Sequence, residues 1–166
     1  MATMQKISAH LWFHSQAEEA VKFYTSIFKD SKIGKTSRYG KEGQEVHGMQ
    51  PGSVMTVEFW LAGQQFTALN GGPIFTFNES VSFMVHCEDQ EEVDYYWEKL
   101  KVGGDEKSQV CGWLKDQFGL SWQIVPNVLG KLLSGGTAEQ SGRVMTALLK
   151  MKKLEIKGLQ DAFDGK

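Results

Sequence analysis

The chain has 166 residues, 41% of them apolar and 23% charged, with 18 basic against 20 acidic side chains and a net charge of −2. That is ordinary globular usage, which excludes a disordered chain, and it lacks the basic excess of a surface that tracks phosphates. No apolar run reaches the roughly 18 residues a membrane span needs, and MATMQKISAH lacks the long apolar core of a signal peptide. Two cysteines, Cys87 and Cys111, make neither a disulfide framework nor a Cys-x-x-Cys metal pair. The expectation is a cytoplasmic protein with no nucleic-acid and no membrane partner.

In chain order, Ile7 to Phe13 reads as a strand. SQAEEAVKFYTSIFKD then places Ala17, Ala20, Val21, Tyr24, Ile27 and Phe28 at helical spacing, predicting a helix over 16–29. Ser15 is the expected cap, with Glu18 at the capping-box position. Residues 31–50 are polar and Gly-rich, a strand and a long loop. Ser53 to Leu61 is strand-like, Ala62-Gly63 a turn, and Gln65 to Asn70 the return strand of a hairpin. Gly71-Gly72-Pro73 ends it.

The order then restarts. Ser80 to Cys87 is a strand, and 89–101 an amphipathic helix with Val93, Tyr96, Trp97 and Leu100 on one side. Gly103-Gly104 stops it. Short strands are expected near 107–111 and 112–115, and a clear one over Leu120 to Val125. Glu18-Glu19 recurs as Glu91-Glu92, 73 positions later, and Phe23-Tyr24 falls on Tyr96-Trp97. This internal repeat predicts an α+β domain over 5–125 made of two βαβββ modules, 5–72 and 80–125. The tail, 126–166, is expected to be a helical extension. Its SGRVMTALLKMKKLEI reads as a helix with Leu148, Met151 and Leu154 opposite Lys150, Lys152, Lys153 and Lys157, a solvated basic face.

The blocks LWFHSQAEEAVKFY, VEFWLAGQQFTALNGGP and CGWLKDQFGLSWQIVPNVL resemble the vicinal oxygen chelate superfamily, which includes glyoxalase I, extradiol dioxygenases and antibiotic-sequestering resistance proteins. Within it they are most similar to the PhnB-like branch, whose domain carries the name 3-demethylubiquinone-9 3-methyltransferase. The resemblance covers about residues 5–155. It implies curved mixed or antiparallel sheets, helices on their convex side, a cup enclosed by the two modules, and a homodimer. It also implies four metal-ligand positions on the first and last strand of each module. They fall on Ala9 (His10 with one residue of slack), Ser82, Gln123, and a strand over 65–70 that holds no His, Asp, Glu or Cys. Such a set cannot hold a divalent cation, so no metal and no cofactor are expected. Methyl transfer also lacks support in the residues. The chain has 18 glycines but no G-x-G turn for S-adenosylmethionine, and its Gly pairs sit at element ends.

By that match the Ala9 face of the first strand points into the cup, leaving His10 and Trp12 under the helix. Phe13, Met84, His86 and Gln123 share the inward parity, and Asn70 and Trp113 sit at strand ends. The expected ligand site is therefore Phe13, Asn70, Ser82, Met84, His86, Trp113 and Gln123, a mostly apolar cup with few polar anchors. His14 and His47 are expected near solvent, with nothing constraining His47. Trp97 and Trp122 should be core, whereas Trp60 and Trp113 could wall a pocket. Cys87 reads as a small buried hydrophobe. Two readings stay open: a metal-free small-molecule-binding protein, or an enzyme, either a metal-dependent lyase or isomerase or the transferase of the branch's name.

Overall fold

The computed structural model describes residues 5–166. The chain divides into two compact units, the first ending at Phe77 and the second running Asn78–Lys166.

In the first unit the hairpin forms where the turn residues demand. Strand β3 (Val54–Leu61) returns as β4 (Gln64–Asn70) through Ala62 and Gly63, both at positive φ (47° and 76°). Two consecutive left-handed residues match the twist of the flanking strands. β1 (Ala9–Phe13) joins β4 in parallel and β2 (Lys32–Arg38) joins β3 antiparallel, so the mixed sheet has the order β1-β4-β3-β2. Helix α1 (Ala17–Ile27) buries Ala17, Ala20, Val21, Tyr24 and Ile27 on one stripe. A one-turn helix, α2 (Gln44–His47), interrupts the loop between β2 and β3.

Register shows which sheet face α1 covers. Leu11 pairs with Ala68, Phe13 with Asn70, and Phe59 with Phe66; all six are buried, and the Tyr24 ring of α1 stacks on Phe59 with centroids 6.4 Å apart. The Ala9–Leu11–Phe13 face of β1 is therefore the helix face. His10 and Trp12 take the uncovered face, the reverse of the expected orientation.

The second unit repeats the plan with fewer strands. β5 (Ser82–Cys87) runs parallel to β7 (Ser121–Pro126), and β6 (Trp113–Lys115) is antiparallel to β7, giving the order β5-β7-β6. The strand expected over 107–111 is a 3-10 turn (Glu106–Ser108) followed by a single bridge from Val110 to Trp113. Its break has a cause: Cys111 and Gly112 both take positive φ (52° and 84°), which no continuous strand allows. α3 (Gln90–Leu100) buries Val93, Trp97 and Leu100, and Asp89 caps it by accepting from the Glu92 N–H.

The repeat contains a one-residue slip. The helices Ala17–Ile27 and Gln90–Leu100 superpose at an offset of 73, but the strand ends Phe13 and Cys87 are 74 apart. Their equivalence is shown by matched hydrogen bonds: Gly71 N–H donates to the Phe13 carbonyl (2.9 Å), and Asn127 N–H to the Cys87 carbonyl (2.8 Å). The strand-to-helix link is one residue shorter in the second unit. Since side chains alternate faces along a strand, that single residue reverses the face assignment that a uniform 73-residue offset gives to β1, and Phe13 matches the buried Cys87 rather than the exposed His86.

Helices α4 (Val128–Ser134), α5 (Ala138–Leu148) and α6 (Ile156–Asp164) belong to the second unit and share a core of Leu129, Leu132, Val144, Leu154 and Leu159. The expected helix through Ile156 stops at Leu148. The next segment gives its carbonyls elsewhere: Met151 and Lys152 accept from the Cys111 and Gly112 N–H groups, each at 2.8 Å. Gln90 adds a clamp, donating to the Leu154 carbonyl and accepting from the Ile156 N–H. The lysines thus form no continuous helical face, and Lys153 pairs with Asp94 and Glu155.

Candidate functional site

Each sheet packs one face on a helix, α1 or α3; the opposite face of the second sheet meets the C-terminal helices only at its Val125 end. On the second sheet the uncovered face is carried by Ser82, Met84 and His86 of β5, Gln123 of β7 and Trp113 of β6. Met84 pairs with Gln123, and Gln123 with Trp113, so one polar amide stands in a row between two apolar side chains. Gln123 Nε2 donates to Ser82 Oγ at 2.9 Å, which fixes the amide. Met84 is 47% exposed, and His86 is exposed one pleat beyond it. On the other face Val85, Cys87, Trp122 and Ile124 are buried. Five of the seven expected site residues therefore share this face.

The other two do not lie on an uncovered face. Phe13 and Asn70 are buried (2% and 6% exposed) on the helix side of the first sheet. Asn70 is fully engaged there. Its Oδ1 accepts from the Ala17 N–H (2.8 Å), and its Nδ2 donates to the Val54 carbonyl (3.2 Å) and to Glu18 Oε2 (3.0 Å). It does for α1 what Ser15 was expected to do, since α1 has no side-chain cap of its own. The rest of LNGGP is equally structural. A Cβ on Gly71 would lie 2.3 Å from the Trp12 ring, and Trp12 Nε1 donates to the Gly72 carbonyl at 2.9 Å.

The uncovered face of the first sheet carries residues that the reversed parity concealed. His10 pairs with Thr67, and Thr67 with Glu58; Trp12 pairs with Leu69, and Leu69 with Thr56. Lys32 Nζ lies 4.4 Å over the ring of Trp60, a contact between a cation and the negative face of the ring. Glu58 stands between Val57 and Phe59 in a cleanly alternating strand, which was the available signal. His47 is constrained after all: its ring lies 4.7 Å from that of Tyr39, and its Nδ1 accepts from the Met49 N–H. Tyr39 donates to the Asn70 carbonyl at 2.7 Å, and burial raises its pKa.

The second unit also has a cavity of about 490 Å³ beside β6, with Val110, Cys111, Trp113 and Ser121 in its wall. Lys115 and Glu79, also lining it, form an ion pair that holds the Glu79 carboxyl below the usual range. The thiols differ sharply. Cys87 is fully buried, and burial, with Glu92 and Asp89 nearby, pushes it up to about 12; Cys111 is partly exposed.

The residues do not fit a superfamily metal. Among the described residues, no three His, Cys, Asp or Glu side chains are grouped to hold an ion. Ala9 has no donor atom, and Gln123 and Ser82 offer neutral groups already bonded to each other. Nor do they fit S-adenosylmethionine in its usual place, because neither small mixed sheet provides the Gly-rich turn at the head of a doubly wound parallel sheet. Among the described residues, no helix is long and apolar enough to cross a membrane.

The family model described as 3-demethylubiquinone-9 3-methyltransferase matches residues 5–125. A PhnB protein from Bacillus cereus is 36% identical, with 74% of this chain and 99% of that chain covered and a TM-score of 0.63. A Staphylococcus aureus protein is 32% identical over 73% of this chain and 95% of its own, with a TM-score of 0.32. Protein PA1353 from Pseudomonas aeruginosa, 15% identical, shares the fold at a TM-score of 0.56, covering 74% of this chain and 98% of that one. No curated protein gives a match. The duplicated strand–helix–strand units, the LNGGP corner that ties β4 to α1 and the match over residues 5–125 lead to one assignment: this chain belongs to the PhnB-like 3-demethylubiquinone-9 3-methyltransferase family.

Proposed function

We propose that this PhnB-like protein binds a small, mostly apolar molecule without a metal, on the uncovered face of its second sheet. One observation carries the reading: Gln123, held by Ser82, stands in register between Met84 and Trp113 on the sheet face opposite α3. Apolar neighbours supply contact area, and a fixed amide supplies direction, the usual division of labour in a small-molecule site. His86, two residues beyond Met84, adds a second polar contact. Metal-assisted lyase or isomerase chemistry would need a donor set that the described residues do not group together. The family resemblance adds a cytoplasmic homodimer with neither nucleic acid nor membrane as partner, and analytical ultracentrifugation tests the dimer.

The test of binding is a thermal-shift screen of small aromatic and amphipathic molecules against wild type, Gln123→Ala and His86→Ala. A lost polar contact costs about 1 kcal/mol, or about five-fold in Kd. A hit should weaken by that factor in each variant while the free proteins stay folded. A hit whose affinity is the same in both variants would place the site elsewhere.

A further inference from the structure

Ser121 is 1% exposed, and among the described residues its Oγ is a buried side-chain oxygen with no hydrogen-bond partner. Burying a hydroxyl without a partner is unfavourable, and such groups in a native fold call for an explanation. Ser121 lies in the row next to Gln123, paired with Ser82 on one side and Lys115 on the other. Neither neighbour uses it: the Ser82 hydroxyl accepts from Gln123, and the Lys115 ammonium pairs with Glu79.

Ser121 is one of the residues lining the cavity beside β6, together with Val110, Trp113 and Lys107. The cavity wall is held rigidly, because the backbone at Cys111 and Gly112 is bonded to Met151 and Lys152 on one side and to Ile124 on the other, each at 2.8 Å. Its charge is unbalanced. Lys115 and Glu79 cancel, whereas Lys107 has no ion-pair partner among the described residues.

We infer that this cavity takes a small aromatic carboxylate, its ring against Trp113 and Val110 and its carboxylate accepting a hydrogen bond from the Ser121 hydroxyl, with Lys107 supplying the balancing charge. The inference rests on the proposed binding face, since Trp113 borders both, and it names the ligand's chemistry. An aromatic ring meets the apolar wall, an acceptor meets the Ser121 hydroxyl, unpartnered among the described residues, and a negative charge meets the Lys107 ammonium.

The experiment uses the full chain and three probes of similar size and different charge: benzoate, benzyl alcohol and benzylamine. Binding is followed by two-dimensional amide NMR at millimolar concentrations. Benzoate should move the amides of Cys111, Trp113 and Ser121 and bind more tightly than the alcohol, with benzylamine weakest. Ser121→Ala should weaken benzoate at least about five-fold, and Ser121→Thr, which keeps the hydroxyl, should retain part of the binding. Lys107→Gln should remove the preference for benzoate over benzyl alcohol. Ser121→Ala without ligand should melt no lower than wild type, because the hydroxyl it removes has no partner there.

Equal benzoate binding in wild type and Ser121→Ala, or a preference for benzylamine, overturns the inference. A melting temperature for free Ser121→Ala well below wild type does so too, since it would show the hydroxyl to be a structural one. If Gln123→Ala weakens a screened ligand while benzoate leaves the three amides unmoved, the inference fails and the binding face stands. If benzoate binding depends on Ser121 but is indifferent to Gln123 and His86, the face fails and the cavity alone is the site.

Discussion

Asn70 Oδ1 accepts the backbone N–H of Ala17 at 2.8 Å across 53 positions of sequence. The last residue of β4 thereby caps the first turn of α1, and its Nδ2 secures the start of β3 through Val54. One buried side chain locks three elements of the first unit.

Asn70→Ala removes that cap and leaves the Ala17 N–H and the Val54 carbonyl without the partner they had. The expected cost is about 2–3 kcal/mol, seen as a lower urea midpoint with an unchanged slope. Ser15→Ala, at the residue the sequence pattern marks as the cap, should change stability by less than about 0.5 kcal/mol. Equal effects of the two substitutions would contradict the long-range cap.

Gly71→Ala should displace the Trp12 ring. The new Cβ would lie 2.3 Å from it, and relief requires breaking the Trp12–Gly72 hydrogen bond. Overpacking of this kind costs about 1–3 kcal/mol. The Trp12 indole N–H resonance should shift while those of Trp97 and Trp122 in the second unit stay in place.

The two thiols should separate cleanly at mildly alkaline pH. Cys87 is buried with its pKa pushed up to about 12, so almost none of it is thiolate, and the thiolate is what reacts. Titration of the folded protein with a disulfide reagent should label one thiol, lost in Cys111→Ser, and label the second only after denaturation. Benzoate should slow labelling of Cys111, which lines the cavity beside β6. Fast labelling of both thiols in the native protein would contradict the burial of Cys87.

The Asp94–Lys153 pair joins α3 to the segment before α6 at 2.6 Å. Lys153 holds the Asp94 carboxyl below its ordinary value, with help from Gln90. Asp94 in turn holds the Lys153 ammonium above its own. For a lowered carboxyl the stabilisation is complete above its unfolded pKa and is lost as pH falls through the folded one. For a raised ammonium it is lost only as pH rises past the ordinary lysine value. The stability difference between wild type and Asp94→Asn should therefore be flat from about pH 5 to 9 and shrink below about pH 4. Both groups are partly exposed, so the plateau should be under about 1 kcal/mol and should decrease with added salt. Acid and denaturant melts of the two proteins measure it.

Much of the fold was legible because it follows from local chemistry. The amphipathic stripes of α1 and α3, the left-handed Ala62-Gly63 turn and the alternation in β3 all depend on neighbours within a few residues. The repeat was legible too, since Glu18-Glu19 and Glu91-Glu92 begin equivalent turns. On the second sheet, alternation along the strands put five of the seven expected site residues on one face. Tertiary structure decided what local chemistry leaves open. The face of β1 that meets α1 depends on a link one residue longer than its counterpart, and strand alternation makes that residue reverse the faces a uniform 73-residue offset assigns to β1, with Phe13 under the helix and His10 and Trp12 out. The cap of α1 comes from 53 residues away, where Asn70 carries no sign of its partner. Helix α5 ends at Leu148 although its spacing continues, because the Met151 and Lys152 carbonyls bond to a strained turn at Cys111 and Gly112. Each outcome rests on backbone hydrogen bonds between distant segments, and such bonds leave no periodicity in the sequence.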